Sequence, residues 1–146
     1  MRSSEITKRI HTLNYLTAEL DALYHQASVK LGLADCATRI LYAIHDNGDG
    51  CLLSLIYKES GISRQTVNSA LRKLEAEGVV YLERREGRSK AVCLTEAGRE
   101  LVERTVERLC QAELRALGTW ADREIDEHIR LTQKYLTSFR EQVEDL

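Results

Sequence analysis

A chain of 146 residues is enough for one domain, and its 43% hydrophobic and 30% charged residues are ordinary for a soluble globular protein. No apolar run approaches the roughly 18 residues that span a bilayer, and the opening MRSSEITKRIHTLNY lacks the apolar core of a secretory signal, so a soluble cytoplasmic protein is expected. The net charge of −2 does not by itself announce a nucleic-acid binder, yet between Lys58 and Lys90 eight Lys and Arg face five Glu, a locally basic segment in an acidic chain.

Taken in order, residues 6 to about 31 read as a long helix. Ile6, Ile10, Leu13, Thr17, Leu20, Tyr24, Ala27 and Leu31 recur at alternating steps of four and three, a coiled-coil-like stripe widened by Leu16 and Leu23. Gly32 stops it, and Asp35 suits the N-cap of a second helix with Ile40, Leu41 and Ile44 on its apolar side. Asp46 to Gly50 (DNGDG) is a turn cluster. A shorter third helix is expected to turn Leu52, Leu55 and Ile56 inward before Ser60-Gly61 breaks it. Ile62 reads as a staple-like hydrophobe and Ser63 as the N-cap of a fourth helix, with Thr66 three residues on. Val67, Leu71 and Leu74 form its buried stripe, and Gly78 ends it. The period then falls to two: VVYLERR and SKAVCL are β-rich runs joined by Glu86-Gly87-Arg88, a hairpin signal. Thr95 is expected to cap one long helix carrying Val102, Val106, Leu109, Cys110, Leu114 and Leu117. Gly118-Thr119 breaks that helix, and a last one carries Ile125, Ile129, Leu136 and Val143. There are no repeats or low-complexity tracts.

Two short helices joined by a tight Ser-Gly turn, the second fronted by polar residues, make a helix-turn-helix. A basic hairpin after it adds a wing. The fold class is therefore mainly α with a small β-hairpin wing. In such a module the second helix, residues 63–77, presents its first residues to base edges in the major groove. Arg64 suits guanine, Gln65 and Asn68 suit adenine, and Thr66 suits a thymine methyl. Ser63, Ser69, Arg72 and Lys73 are better placed for phosphates, and Arg84, Arg85, Arg88 and Lys90 of the wing, 79–94, for flanking backbone or the minor groove. Taken singly, Ser63 and Thr66 cap the helix whatever else they do, and the other polar residues suit a plain solvated face. The order of the pieces within one short segment is what points to double-stranded DNA.

That order resembles the MarR family of bacterial transcription regulators. The likeness is carried by LGLADCATRILYAI and by LIYKESGISRQTVNSALRKLEAEGVVYLERREGRSKAVCLTEAGREL, strongest over residues 31 to 101. Its most specific marks are the S-R-x-T-V start, the L-E-x-x-G-x-V exit and the L-T-x-x-G after the hairpin. The resemblance implies a single domain over 1–146, with a DNA-binding lobe at 34–99 and dimerisation helices at 1–33 and 100–146 that intertwine with those of a second copy. A two-fold dimer sets two recognition helices about 34 Å apart, one DNA turn, and so implies a pseudo-palindromic operator. The family's wing is often longer, with an Asp before a pair of arginines. Arg88-Ser89-Lys90 stands there instead, so the acid's buttressing role and deep minor-groove entry do not carry over, while phosphate gripping does.

Family members usually repress nearby genes and let go when a small ligand or an oxidant acts. Tyr15, Tyr24, His25, Tyr42 and His45 could line an effector pocket, though residues of each type more often serve packing or surface. The family's peroxide sensors carry a reactive cysteine in the first helix. Residues 1–30 hold none, which leaves Cys36, at a helix N-terminus, as the redox candidate. Cys36, Cys51, Cys93 and Cys110 form no CxxC pair, so neither a metal nor any other cofactor is expected. A nucleophile elbow, a phosphate-cradling glycine loop and HExxH are all missing, which excludes the common enzyme signatures. The rival from another class is a helical protein-interaction module that binds no DNA.

Overall fold

No proline interrupts the chain, and its helices mostly run until a glycine turns them. The computed structural model describes residues 1–48 and 50–146; Asp49, inside the expected 46–50 turn, lies outside the described residues. The elements are α1 (Arg2–Leu31), α2 (Asp35–Asn47), β1 (Cys51–Leu52), α3 (Leu53–Ser60), α4 (Arg64–Ala76), β2 (Val80–Arg84), β3 (Lys90–Leu94), α5 (Glu96–Arg104), α6 (Val106–Leu117) and α7 (Asp122–Glu144). The chain folds as two units, Met1–Leu109 and Cys110–Leu146. Among the described residues no helix is long and apolar enough to cross a membrane.

In the first unit, α1 begins at Arg2, earlier than the apolar stripe suggests. Its polar first turn is held by side chains as well as backbone: Ser4 Oγ donates to the Met1 carbonyl at 3.3 Å and Thr7 Oγ1 to that of Ser3 at 2.9 Å. At its far end Gly32 takes φ 74°, and the N–H groups of Gly32 and Leu33 bond to the carbonyls of Val29 and Ser28. Those two bonds satisfy end carbonyls that would otherwise lack partners. Only Ser28 of α1 is buried among the described residues, with its hydroxyl 2.8 Å from Thr38 Oγ1 of α2.

Asp35 is not the N-cap of α2. Ala34 holds that position, and Asp35 is the first helical residue. Its carboxylate turns to His25 instead, with Nδ1 at 2.9 Å from Oδ2. That hydrogen bond is the main reason its carboxyl is held below the usual range. The charge still favours the helix start, but so exposed a pair contributes less than about 1 kcal/mol.

The core lies where α2, α3, α4, the sheet and α5 converge. Ile40, Leu41, Ile44, Ile56, Val67, Val80, Val92 and Val106 are fully buried there. Each such side chain contributes about 1.5–3 kcal/mol by leaving water. The expected hairpin is part of a three-stranded antiparallel sheet in the order β1-β3-β2. Leu52 therefore does not open an inward helical face. It lies in β1, exposed, opposite Ala91 of β3, while Cys51 beside it is buried opposite Val92. Two residues are too few to show a period of two, and their partners are distant in sequence.

The expected single helix after Thr95 is two helices. At Thr105 the backbone leaves the helical region, with φ −126° and ψ −93°. Its hydroxyl donates to the Leu101 carbonyl at 2.6 Å, the acceptor its own N–H would use in a continuous helix, and the N–H bonds to Val102 O at 3.2 Å. This is the competition by which threonine interrupts helices.

In the second unit, α7 starts at Asp122 with a Glu124 carboxylate oxygen 2.9 Å from the Ala121 N–H. Trp120 meets His128 edge-on at 5.7 Å, and Tyr135 stacks on Phe139 at 5.5 Å. Ile129, Leu131, Tyr135, Leu136, Phe139 and Val143 are all exposed, and Ile125 is half-buried.

Candidate nucleic-acid interface

The site begins with the turn between α3 and α4. Gly61 takes φ 68°, a left-handed conformation that glycine adopts without a steric penalty. The buried Ser60 anchors the turn: its hydroxyl accepts from the Ile62 N–H at 3.3 Å, and its carbonyl accepts from Arg39 Nη1 at 3.3 Å. Ser63 then caps α4 as expected, accepting from the Thr66 N–H at 3.2 Å while donating its own hydrogen to Thr66 Oγ1 at 2.9 Å. Such a cap stabilises a helix by about 1 kcal/mol. Val67, Leu71 and Leu74 are buried, which fixes the rotation of α4 about its axis. Ser63, Arg64, Gln65, Thr66, Asn68, Ser69, Arg72 and Lys73 are consequently all exposed. The helix closes at Gly78, φ 74°, with Gly78 N–H bonded to Glu75 O and Val79 N–H to Leu74 O.

One residue at this front has no signal in the sequence pattern. Tyr57, on α3, donates its phenolic hydrogen to Asn68 Oδ1 at 2.6 Å, and the Arg64 guanidinium lies 4.9 Å from its ring centre. The available hint was position: an aromatic one turn before the break faces the start of the next helix.

The wing is β2 and β3, in register from Val80 opposite Leu94 to Arg84 opposite Lys90. Its turn is closed by Arg85 N–H to Ser89 O at 2.9 Å and by Ser89 Oγ to Glu86 O at 2.7 Å, with Gly87 at φ 69°. Arg84, Arg85, Arg88 and Lys90 are all exposed, Arg88 in the turn itself. Arg85 lies against Gly50 and 3.8 Å from a Glu83 carboxylate oxygen. An open groove of about 280 Å³ between α3, α4 and the wing is lined by Tyr57, Asn68, Arg72 and Lys90 among others.

The wing is joined to α5 at Thr95 and Gly98. Thr95 Oγ1 donates to Gly78 O at 2.5 Å and accepts from the Gly98 N–H at 2.9 Å, capping α5 as expected. Gly98 is buried so tightly against the Val79 carbonyl that a Cβ there would overlap the oxygen.

The other expected residues lie on α1 and α2. Tyr15 and Tyr24 are exposed on α1, His25 bonds to Asp35, Tyr42 is half-buried on α2, and His45 is exposed near its end. Cys36 is half-buried in the first turn of α2. Cys51 and Cys93 are buried, and burial, then the Glu59 charge, pushes the Cys51 thiol up. Among the described residues no group of three or more His, Cys, Asp or Glu gathers as a metal site would require.

Residues 31–91 match the model of the MarR family. Among solved structures the chain is similar to a MarR family transcriptional regulator from Silicibacter pomeroyi, with 25% identity over 89% of this chain and 88% of that one and a TM-score of 0.68. It is also similar to the MarR family regulator NMB1585 from Neisseria meningitidis, at 14% identity over 94% and 97% of the two chains with a TM-score of 0.83. A third likeness, 21% identity over 88% and 96% with a TM-score of 0.66, is to S. aureus MepR, solved as a complex with DNA. The two latter likenesses speak for the fold alone. No curated protein matches the chain.

Proposed function

We propose that the chain, whose residues 31–91 match the MarR family model, is a transcription regulator of that family rather than an enzyme, and that it binds double-stranded DNA as a homodimer and represses transcription from a pseudo-palindromic operator until a small ligand or an oxidant releases it. The observation that carries the DNA reading is the face of α4. Burial of Val67, Leu71 and Leu74 seats α4 on the core and leaves Arg64, Gln65, Thr66 and Asn68 exposed together at its start, beside a wing with four exposed cationic side chains. A helix fits a major groove, and the N–H groups at a helix start favour a phosphate. The homodimer rests on apolar surface. Ile10, Leu13, Leu16, Leu20 and Leu23 on α1, and Leu131, Leu136 and Phe139 on α7, are exposed in the single chain. Contiguous patches of that kind mark interfaces.

Selection of bound duplexes from a random pool tests both halves at once. The expected product is an inverted repeat with half-site centres about one helical turn, ~34 Å, apart. Recovery of a single unpaired motif would defeat the homodimer, and recovery of nothing at low salt would defeat DNA binding.

The wing makes a separate demand. Replacing Arg88 by alanine is expected to weaken binding evenly across sequences and to lower the slope of log affinity against log salt by about 1, one phosphate contact. Titrations of cognate and scrambled duplexes at several salt concentrations measure this. A changed base preference would mean that the wing reads sequence.

A further inference from the structure

We propose that Tyr57 is a positioning residue for base reading, holding Asn68 so that it meets the groove as a hydrogen-bond donor. The inference rests on the DNA-reading function above and goes beyond it by assigning a base class. An asparagine amide offers an oxygen that accepts and an NH₂ that donates. A bidentate contact to adenine uses both, the oxygen taking the N6 hydrogen and the NH₂ giving one to N7. Here the oxygen already takes the Tyr57 hydrogen at 2.6 Å. That bond takes one of the oxygen's two lone pairs and fixes which way the amide turns, while the NH₂ keeps both its hydrogens for a base. Arg64, the neighbour on the same helix front, has only donors, and its guanidinium rests on the face of the same ring at 4.9 Å. One tyrosine thus sets both side chains, and both address acceptors. The major-groove edge with two acceptors and no donor is that of guanine, through N7 and O6. Asn68 is therefore matched to guanine, where its residue type alone suggested adenine.

The test is duplex selection with the full-length protein and variants. Asn68→Ala first identifies the base pair that Asn68 contacts, as the position whose preference disappears. The wild type should prefer guanine there. Tyr57→Phe keeps the ring beneath Arg64 and removes only the hydroxyl. It should relax that one position by about 5- to 10-fold, toward adenine, and leave the Arg64 position unchanged. In the Asn68→Ala background, Tyr57→Phe should add nothing, because its effect runs through Asn68. Adenine preference in the wild type, or a Tyr57→Phe profile identical to the wild type, overturns the proposal. So does a loss of affinity spread evenly over all sequences with a lowered melting temperature, which a merely structural tyrosine would give. Failure of the wild type to select any duplex is a distinct result that removes the DNA-binding function itself.

Discussion

Replacing Gly98 by alanine is expected to cost about 3 kcal/mol or more, at or above the upper end of ordinary overpacking. The added methyl would overlap the carbonyl oxygen of Val79, with Leu94 Cδ2 only 3.3 Å away on another side. A flexible side-chain tip yields to such a clash; a backbone oxygen does not. Val79 cannot retreat easily, because its N–H is tied to Leu74 O and its carbonyl accepts from the Thr95 N–H. Either α5 lifts away from the wing or the wing tears from the end of α4, and both expose the core residues Val80 and Leu94. Thermal unfolding should show a melting temperature lower by roughly 10 °C. A variant melting like the wild type would mean that the first turn of α5 can step aside freely. The expectation concerns stability alone, so it stands whatever the protein binds.

Arg64→Ala is the second large effect, this time on binding. Arg64 is exposed on α4 with its guanidinium over the Tyr57 ring. Bidentate guanine contacts by arginine carry about 1–3 kcal/mol of discrimination. The substitution should cost that much affinity for the selected operator and flatten the preference at one base pair in each half-site. Because Arg64 is exposed, the melting temperature should stay within a degree or two of the wild type (surface substitutions typically change stability by about 0.5 kcal/mol or less). Competition titrations with all four bases at that position measure the effect. An unchanged preference would remove Arg64 from the reading set.

The elements marked by strong periodicity or by punctuation are where the sequence and the structure agree. Gly32, Gly61 and Gly78 all take positive φ at the ends of helices, and Ser63 and Thr95 both cap with their hydroxyls. These features depend on neighbouring residues, so local pattern reveals them. What was hidden depends on partners far along the chain. The Cys51–Leu52 strand exists only because β3 offers it an edge. Asp35 leaves its capping role because His25 comes within reach. Thr105 fits a helical stripe in sequence, yet its hydroxyl displaces its own N–H from Leu101 O. In the candidate site the exposed face of α4 was legible from the spacing of Val67, Leu71 and Leu74. Tyr57 was not, since its tie to Asn68 passes through the turn geometry rather than through any spacing. The five residues suggested for an effector pocket shared only chemistry; Tyr15, Tyr24 and His25 lie on α1 and Tyr42 and His45 on α2.

The exposure of α1 has a thermodynamic corollary. Thirty residues of helix bury a single serine among the described residues, while Leu13 is 58% exposed and Leu20 57%. A helix so little supported by its own chain draws its stability from tertiary cover. On the proposed pairing that cover is another molecule, so dilution acts as a denaturant and the melting point climbs with protein concentration.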